Sequence, residues 1–446
     1  MHRIIRSQTA VLFPTFFLLL CVCFGVEGQT APLERYDNLQ SFLSAIGQLD
    51  QTDYDSRLRP FHDQVSQTQL EMALRTIDPA RLLAPYMRIE NQTLKIYRDR
   101  DQKQILDFFV PLTTEASLPT VLPSTALNFT LPTHRSGALQ NMRIVLDPGH
   151  MGGAEWDRRT GKYLRHGQHY VSEGTLALWT CLLLKTELTA LGAIVSLTHE
   201  AELPVSSDDY HTFDLRPYAH IEMAESTDAP WFDTLLRRLS GDRLLQAPSL
   251  QQFYQEGRRN YYFIFRNDLM ERARLITTTR PDITIVLHFD SASSRLQDSL
   301  QQVRGFVSGN LMPGEVSTRE QRFEAIQTAL NLTRFDRSMR LTSAVVHGIA
   351  AEAHVPVRTS STDHHAIKVS NGVYARNLAL NRKNLVGAQA YIEALFYDYR
   401  PDFMRLARND CQQVVEGREI HYPCRLQDVV RGVRTGILNY AHSLSR

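Results

Sequence analysis

Four short apolar runs, separated by stretches of helical periodicity, constrain the fold of this chain more than any other feature of its sequence. The runs are MRIVL, AIVSL, ITIVL and QAYIE, and the helix-like stretches include residues 174–191, 267–279 and 320–331. Strands that alternate with helices in this way form mainly parallel sheets covered by helices on both faces. The sequence therefore predicts an α/β fold, and functional groups are expected beyond the carboxyl ends of its strands.

The segment before these runs has a different character and predicts a smaller α+β module. Its first part has a mostly helical pattern, and the strings RIENQTLKIY and QILDFFVPL predict short strands. A stretch rich in Pro and Thr follows and has the composition of a linker. We therefore predict an N-terminal module of unknown role over residues 29–112, a linker over 113–138 and the α/β domain over 139–446.

The first residues show the three-part pattern of a secretory signal. Basic residues precede an apolar run from about Ala10 to Val26, which small and polar residues follow. The run is short for a membrane span. We predict a signal peptide over residues 1–28, which makes the mature protein secreted or periplasmic and free of membrane attachment. An uncleaved anchor is the alternative.

Charge and cysteine usage narrow the class of protein further. The 49 basic and 48 acidic residues nearly cancel, which argues against nucleic acid as a partner. Cys411 and Cys424 would be able to pair in an oxidising compartment, although their spacing alone does not decide whether they do. Cys181, inside LALWTCLLL, is predicted to be a buried apolar residue and not a reactive thiol.

Ionisable residues follow the predicted strands at the edge where function is expected. The first run leads through a Pro-Gly turn to His150, and ITIVL is followed directly by His288. Glu393 stands at the end of the last run, and Glu173 opens the helix TLALWTCLLL. A carboxylate in a first helical turn also interacts favourably with the helix dipole, so Glu173 on its own has a purely structural explanation.

Two His and one Glu are a sufficient ligand set for a catalytic zinc ion, because they leave the fourth position for water. Hydrolysis then needs a second, unligated Glu that takes a proton from the water and returns it to the leaving group. His166 and His169 lie close before Glu173 and are rival ligands.

Five sequence blocks, in this order, resemble the zinc-dependent N-acetylmuramoyl-L-alanine amidases, which cleave bacterial peptidoglycan between the lactyl group of muramic acid and L-alanine. The blocks are IVLDPGHMGG, SEGTLAL with the following GAIVSLTHE, DLMERARLITTTRPDITIVLHFDS, AYIEALFYDYRPDFMRLA and VVRGVRTGILNYA. The resemblance extends from about Arg143 to the C-terminus and implies a zinc amidase catalytic domain there. It implies that His150, Glu173 and His288 bind Zn²⁺ and that Glu393 is the catalytic glutamate.

The sequence departs from the pattern of this family in two residues and in its spacing. Asp290 stands where the family commonly has Asn, and His199 where an Arg often follows the strand. The distances between the blocks predict insertions at about residues 203–265 and 296–345. Long loops near strand ends are often functional, so these insertions would form a lid, a regulatory plug or a binding wall. A decorative or oligomerisation surface is the alternative.

Four further residues are candidates for substrate binding: Arg376, His364, His365 and Asp290. Arg376 would be able to hold a carboxylate of the stem peptide through two hydrogen bonds, because its guanidinium matches that geometry. For the His pair, an exposed loop without a role in binding is the alternative.

The sequence thus predicts a secreted or periplasmic zinc amidase whose partner is peptidoglycan, that is, a muropeptide substrate. A regulatory protein partner is possible, but the sequence does not identify one. Two alternatives stay open. A zinc peptidase or carboxypeptidase acting on the stem peptide would use the same metal and Glu, and a non-catalytic wall-binding regulator would keep the fold without turnover.

Overall fold

The computed structural model describes residues 54–101, 103–114, 138–218, 250–361, 365–383 and 386–444. The chain forms two compact units, Met1–Arg57 and Leu58–Arg446, and nearly all described residues belong to the second. The predicted signal peptide and most of the predicted linker lie outside the described residues. Among the helices that are described, none has the length and hydropathy needed to cross a bilayer.

The second unit begins with a small α+β substructure. Its elements are helix α1 (Gln67–Ile77) and strands β1 (Met87–Glu90), β2 (Thr93–Tyr97) and β3 (Leu106–Pro111). The strands form an antiparallel sheet in the order β1-β2-β3. These elements agree with the short strands predicted from the sequence.

A seven-stranded sheet forms the centre of this unit. The remaining strands in the described residues are β4 (Arg143–Pro148), β5 (Tyr163–His166), β6 (His169–Ser172), β7 (Ile194–Leu197), β8 (Ile283–Asp290), β9 (Arg304–Val307), β10 (Ile367–Ser370), β11 (Val373–Ala375), β12 (Ala388–Phe396), β13 (Cys411–Val415) and β14 (Arg418–Tyr422). The sheet order is β10-β11-β9-β12-β8-β4-β7. Strands β12, β8, β4 and β7 are mutually parallel, whereas β9 and β11 run the other way. The predicted mainly parallel sheet is confirmed, with a mixed edge.

Helices cover both faces of this sheet. The α-helices described after α1 are α2 (Gly153–Thr160), α3 (Glu173–Ala190), α4 (Leu250–Asn260), α5 (Leu269–Thr279), α6 (Arg319–Leu330), α7 (Leu332–Ala353), α8 (Ala379–Lys383), α9 (Arg400–Leu406) and α10 (Arg425–Leu444), and a π-helical segment, Tyr261–Asp268, joins α4 to α5. Helices α3, α7 and α10 share the main apolar core with the sheet. On the other face, apolar residues of α5 and α8 pack against β4 and β8. The α/β class predicted from the sequence is therefore confirmed.

Part of the segment predicted as an insertion at 296–345 belongs to this framework. Strand β9 is a member of the central sheet, and α6 contacts the N-terminal substructure. Phe323 of α6 packs edge to face against Phe108 at 5.5 Å, and Arg319 lies 2.7 Å from the buried carboxylate of Asp107. The N-terminal substructure therefore supports α6 directly.

The C-terminal hairpin β13–β14 is closed by a disulfide between Cys411 and Cys424. The pairing that the spacing left open is thus present in the structure. Cys181 is buried in the core next to the sheet, as the apolar run around it predicts.

Helices α7 and α10 approach each other closely because glycines lie at their contact. A Cβ atom on Gly432 of α10 would clash with the backbone of Ile349, and one on Gly348 of α7 would clash with the carbonyl oxygen of Gly432. Backbone cannot move aside as a flexible side chain does, so no larger residue fits this contact without a shift of the helices.

Replacing Gly432 with Ala is therefore expected to lower the free energy of unfolding by about 1–3 kcal/mol, although Ala favours helix formation. Urea unfolding of the mature protein, followed by circular dichroism, measures the change. The control is Thr333→Ala, an exposed position on α7, which should change stability by less than about 0.5 kcal/mol. Equal stability of the Gly432 variant and the wild type would show that the helices separate at little cost.

Candidate active site

Three of the predicted site residues meet at the carboxyl edge of the sheet. Ligand atoms of His150, Glu173 and His288 all lie within 4.8 Å of one another. Glu173 Oε1 is 3.0 Å from Nδ1 of His288 and 3.3 Å from Nε2 of His150. Only 1% of Glu173 is exposed to solvent. Residues that are far apart in the sequence thus form one buried cluster of two imidazoles and a carboxylate.

The turn after β4 places His150 beside His288. The amide of Gly149 donates a hydrogen bond to the carbonyl of Leu287 on β8 at 2.7 Å. A Cβ atom on Gly149 would lie 2.5 Å from the ring of His288, so only glycine lets the turn approach this closely. Tyr391 of β12 stacks on the same imidazole, with ring centroids 4.5 Å apart. The orientation of His288 is therefore determined by packing on the turn and on Tyr391.

Glu173 is the first residue of α3, and its position depends on the cap of that helix. The Ser172 hydroxyl accepts a hydrogen bond from the amide of Thr175 and donates one to Asp157 at 2.8 Å. A side-chain cap of this kind fixes where a helix begins. The carboxylate of Glu173 is therefore held at the helix N-terminus and also points into the cluster, so it combines both roles considered from the sequence.

The rival ligands lie elsewhere. His166 and His169 face each other across the hairpin β5–β6, and both are exposed. Among the described residues, neither belongs to the metal-ligand cluster.

Burial controls the charge of the cluster. It lowers the pKa of His288 to about 4 and also lowers the pKa of His150, so both rings are neutral at neutral pH. Burial raises the pKa of Glu173, but the charge of Lys162 and the interactions with His150 and His288 outweigh this and hold it well below its usual value. Two neutral imidazoles and one ionised carboxylate are a donor set that zinc prefers, so the residues present fit this ion.

Lys162 is a site residue that the sequence analysis missed. Its Nζ lies 3.5 Å from Oε2 of Glu173, and the charge of Glu173 raises the pKa of this lysine. It precedes the hairpin β5–β6 in a polar stretch with no pattern that points to a function. Only the fold of the hairpin brings it to the cluster.

Glu393 lies on β12, directly opposite His288 of β8 in the parallel register. Both strands continue beyond these residues, to Phe396 and Asp290, so Glu393 and His288 lie inside the strands and not after them. The Glu393 side chain is buried, and its Oε2 has no hydrogen-bond partner in the described part of the chain. Burial raises the pKa of Glu393 well above its usual value, and the charges of Asp290 and Glu173 add to this effect.

A cavity of about 380 Å³ opens onto these groups, which is within the range of ligand sites. Its lining includes His150, His288, Glu393, Lys162 and Tyr391. Other parts of the wall come from the π-helical segment and from α6 and α8, which supply residues such as Phe265, Gln321 and Leu380. The predicted insertion at 203–265 therefore contributes a wall of the cavity, as one of the readings of the sequence proposed.

Of the predicted substrate-binding residues that the structure describes, Arg376 lines the cavity, and Asp290 and His365 do not. Arg376 follows β11 and lines the cavity, and in the described part of the chain it forms no ion pair. Asp290 is ion-paired with Arg304 at 2.5 Å and does not line the cavity. His365 is exposed and lies outside the lining, and His364 lies outside the described residues.

His199, the other departure from the family pattern, lies at the back of the site. Its Nδ1 is 3.2 Å from the Thr198 hydroxyl, and burial lowers its pKa well below the usual value. A neutral His therefore stands beside the turn that holds His150, at a position where the resemblance led us to expect an Arg.

No protein-family model and no curated protein matches this sequence. The fold is similar to solved structures of amidases. The CwlD amidase from Clostridioides difficile, in complex with the GerS lipoprotein, is 14% identical with a TM-score of 0.38, and the match covers 68% of this chain and 100% of that one. The N-acetylmuramyl-L-alanine amidase Ami1 from Mycobacterium smegmatis is 13% identical with a TM-score of 0.36, over 68% and 99% of the two chains. The N-acetylmuramoyl-L-alanine amidase AmiC2 of Nostoc punctiforme is 14% identical with a TM-score of 0.33, over 70% and 100%. At these TM-scores the similarity assigns no activity.

Replacing Gly149 with Ala is expected to weaken zinc binding at least tenfold, because the added methyl group displaces the His288 ring from its place against Tyr391. Competition with a chromophoric chelator measures the dissociation constant. The control is Gly417→Ala in the turn between β13 and β14, where an added Cβ meets nothing within 4 Å; the positive φ of 80° strains this variant too, but far from the cluster, so zinc affinity should not change. Unchanged affinity in the Gly149 variant would mean that His288 does not bind the metal or moves without cost.

Proposed function

We propose that this protein is a secreted, zinc-dependent N-acetylmuramoyl-L-alanine amidase that hydrolyses the amide bond between the lactyl group of muramic acid and L-alanine of peptidoglycan. The observation that carries the proposal is the buried carboxylate of Glu393, whose Oε2 has no hydrogen-bond partner among the described residues and which lines the same cavity as His150 and His288, two members of the cluster with Glu173. The sequence blocks that resemble the zinc amidases supply the substrate class, and the same blocks contain all four of these residues.

The roles of the residues follow from their chemistry. His150, Glu173 and His288 would hold the ion, and when bound, Zn²⁺ supplies Lewis acidity that polarises the scissile carbonyl and lowers the pKa of a water molecule to roughly 7. Glu393 takes a proton from the attacking water and returns it to the leaving amine. Its raised pKa suits a group that must both accept and donate this proton. No covalent enzyme intermediate is needed.

Arg376 provides the group that orients the substrate. Its guanidinium is free of carboxylate partners in the described residues, although it lines a cavity with Glu393. Stem peptides carry carboxylates, and an unpaired guanidinium holds a carboxylate through two parallel hydrogen bonds. We place the peptide side of the substrate on this side of the cavity.

Two features support a location outside the cytoplasm. The predicted signal peptide over residues 1–28 would direct export, and the disulfide between Cys411 and Cys424 is of a kind that persists in oxidising compartments. Peptidoglycan also lies outside the cytoplasm.

A zinc carboxypeptidase is the second candidate, and Arg376 is the observation that favours it. An arginine in the cavity would also recognise the terminal carboxylate of a stem peptide. The two activities differ in the bond that is cut and therefore in their products.

Digestion of purified peptidoglycan by the mature protein is expected to release intact stem peptides that begin with L-alanine. Chelation should abolish the release, and Glu393→Gln should lower the rate at least a thousandfold with zinc still bound, because this change removes the proton acceptor. Mass spectrometry of the products is the measurement. The control is Gln427→Ala, which should leave the rate unchanged.

The products decide between the candidates. Shortened stem peptides would select the carboxypeptidase. The absence of products from a protein that binds zinc stoichiometrically would contradict the amidase and favour a wall-binding regulator.

Replacing Arg376 with Ala is expected to raise KM about tenfold or more for a muropeptide with free carboxylates, because one charge-assisted contact is lost. A muropeptide whose peptide carboxylates are amidated should show a much smaller difference between the two enzymes. Arg274→Ala, an exposed arginine on α5, is the control. An unchanged KM with both substrates would exclude Arg376 from binding.

A further inference from the structure

Arg272 of α5 is a fully buried arginine that lies behind the turn carrying His150. Only 1% of the residue is exposed. One terminal nitrogen of its guanidinium donates a hydrogen bond to the carbonyl of Pro148 at 2.7 Å, and the other donates to the carbonyl of His150 itself at 3.1 Å. The side chain thus spans the turn and ends on the backbone of a predicted metal ligand.

This turn needs support because its backbone is strained. His150 has a φ of 62°, in the left-handed region that a residue with a side chain rarely adopts. Such a conformation persists only where the surroundings hold it. The two hydrogen bonds from Arg272, together with the hydrogen bond from Gly149 to Leu287, provide this constraint.

The guanidinium is itself fixed by Asp268, the last residue of the π-helical segment. Arg272 Nε donates to Asp268 Oδ2 at 2.8 Å, and Asp147 at the end of β4 lies 3.6 Å from the same guanidinium. The other oxygen of Asp268 accepts hydrogen bonds from the amides of Val205 and Ser206, at 2.6 and 3.0 Å. A single buried carboxylate therefore connects the start of the inserted segment at 203–265 to the arginine behind His150.

We propose that Arg272 and Asp268 are positioning residues that hold His150 in place for metal binding and thereby couple the inserted segment to the metal centre. The proposal rests on the zinc site of the proposed function. Zinc requires ligand distances within about 0.2 Å of the ideal, and loss of a partner that orients a ligand typically costs 10–100-fold in metal affinity. Both residues line the cavity, but among the described residues neither has a hydrogen bond or ion pair with Glu393, Glu173 or His288.

The test compares two buried arginine–aspartate pairs of the same chain. Arg272→Met is the principal variant, and Arg425→Met is its matched control. Arg425 of α10 is also buried and also donates through Nε to an aspartate, Asp402, at 2.8 Å, but it does not line the cavity. Zinc affinity of the mature protein is measured by competition with a chromophoric chelator, and urea unfolding of the metal-free protein is measured in parallel.

We expect Arg272→Met to weaken zinc binding 10–100-fold and to change the visible absorption spectrum of the Co²⁺-substituted protein, which reports ligand geometry. Arg425→Met should lower the stability of the metal-free protein and leave both metal readouts unchanged. Arg272→Lys, which keeps one donor, should recover part of the affinity. Asp268→Asn should lie between the wild type and Arg272→Met, and it provides a second test if the Met variant does not fold.

Two results would overturn the proposal. Wild-type zinc affinity and an unchanged Co²⁺ spectrum in Arg272→Met and Asp268→Asn would show that the pair only stabilises the fold. An equal loss of zinc affinity in Arg425→Met would also show that the Arg272–Asp268 pair has no specific role at the metal site. Failure of the wild type to bind zinc would contradict the proposed function instead, and it is read from the same titration.

Discussion

The buried carboxylate of Glu173 is the interaction on which the site depends. An ionised carboxylate with only 1% exposure is stable only if cations or hydrogen-bond donors surround it. His150, His288 and Lys162 meet this requirement, and each of them comes from a different element. The helix cap at Ser172, the turn after β4 and the hairpin β5–β6 therefore have to form together. A metal ion would satisfy the same negative charge more completely than the lysine does.

The arrangement of strands explains why these elements meet. Strands β4, β8 and β12 run parallel and adjacent, so the turn after β4, His288 and Glu393 all lie toward the same edge of the sheet. The walls of the cavity over this edge come in part from segments that do not belong to the sheet. The π-helical segment forms one wall, and α6, which the N-terminal substructure supports through Phe108, forms another. Residues remote in the sequence thus shape the space beside the cluster.

Much of the fold and of the candidate site was predictable from the sequence, because the relevant signals are local. Apolar runs bounded by turns identified the parallel strands, and the positions of His150, His288 and Glu393 after or within these runs placed them at one edge. Tyr391 was also predictable as a site residue, because it lies two residues before Glu393 and alternate residues of a strand share a face. Lys162 and Arg272 were not predictable as site residues, because a lysine in a polar hairpin and an arginine in a helix have no distinctive pattern.

The sequence by itself determined the α/β class, the order of the strands along the chain and the residue types that converge on the site, because periodicity and strand ends are properties of short segments. Only the tertiary structure decided which histidines cluster with Glu173, that Asp290 is held by Arg304 while Arg376 lines the cavity without an ion pair among the described residues, and that Cys411 pairs with Cys424. These outcomes depend on distances between segments that lie far apart in the chain. Such distances are determined by packing, and no local pattern encodes them.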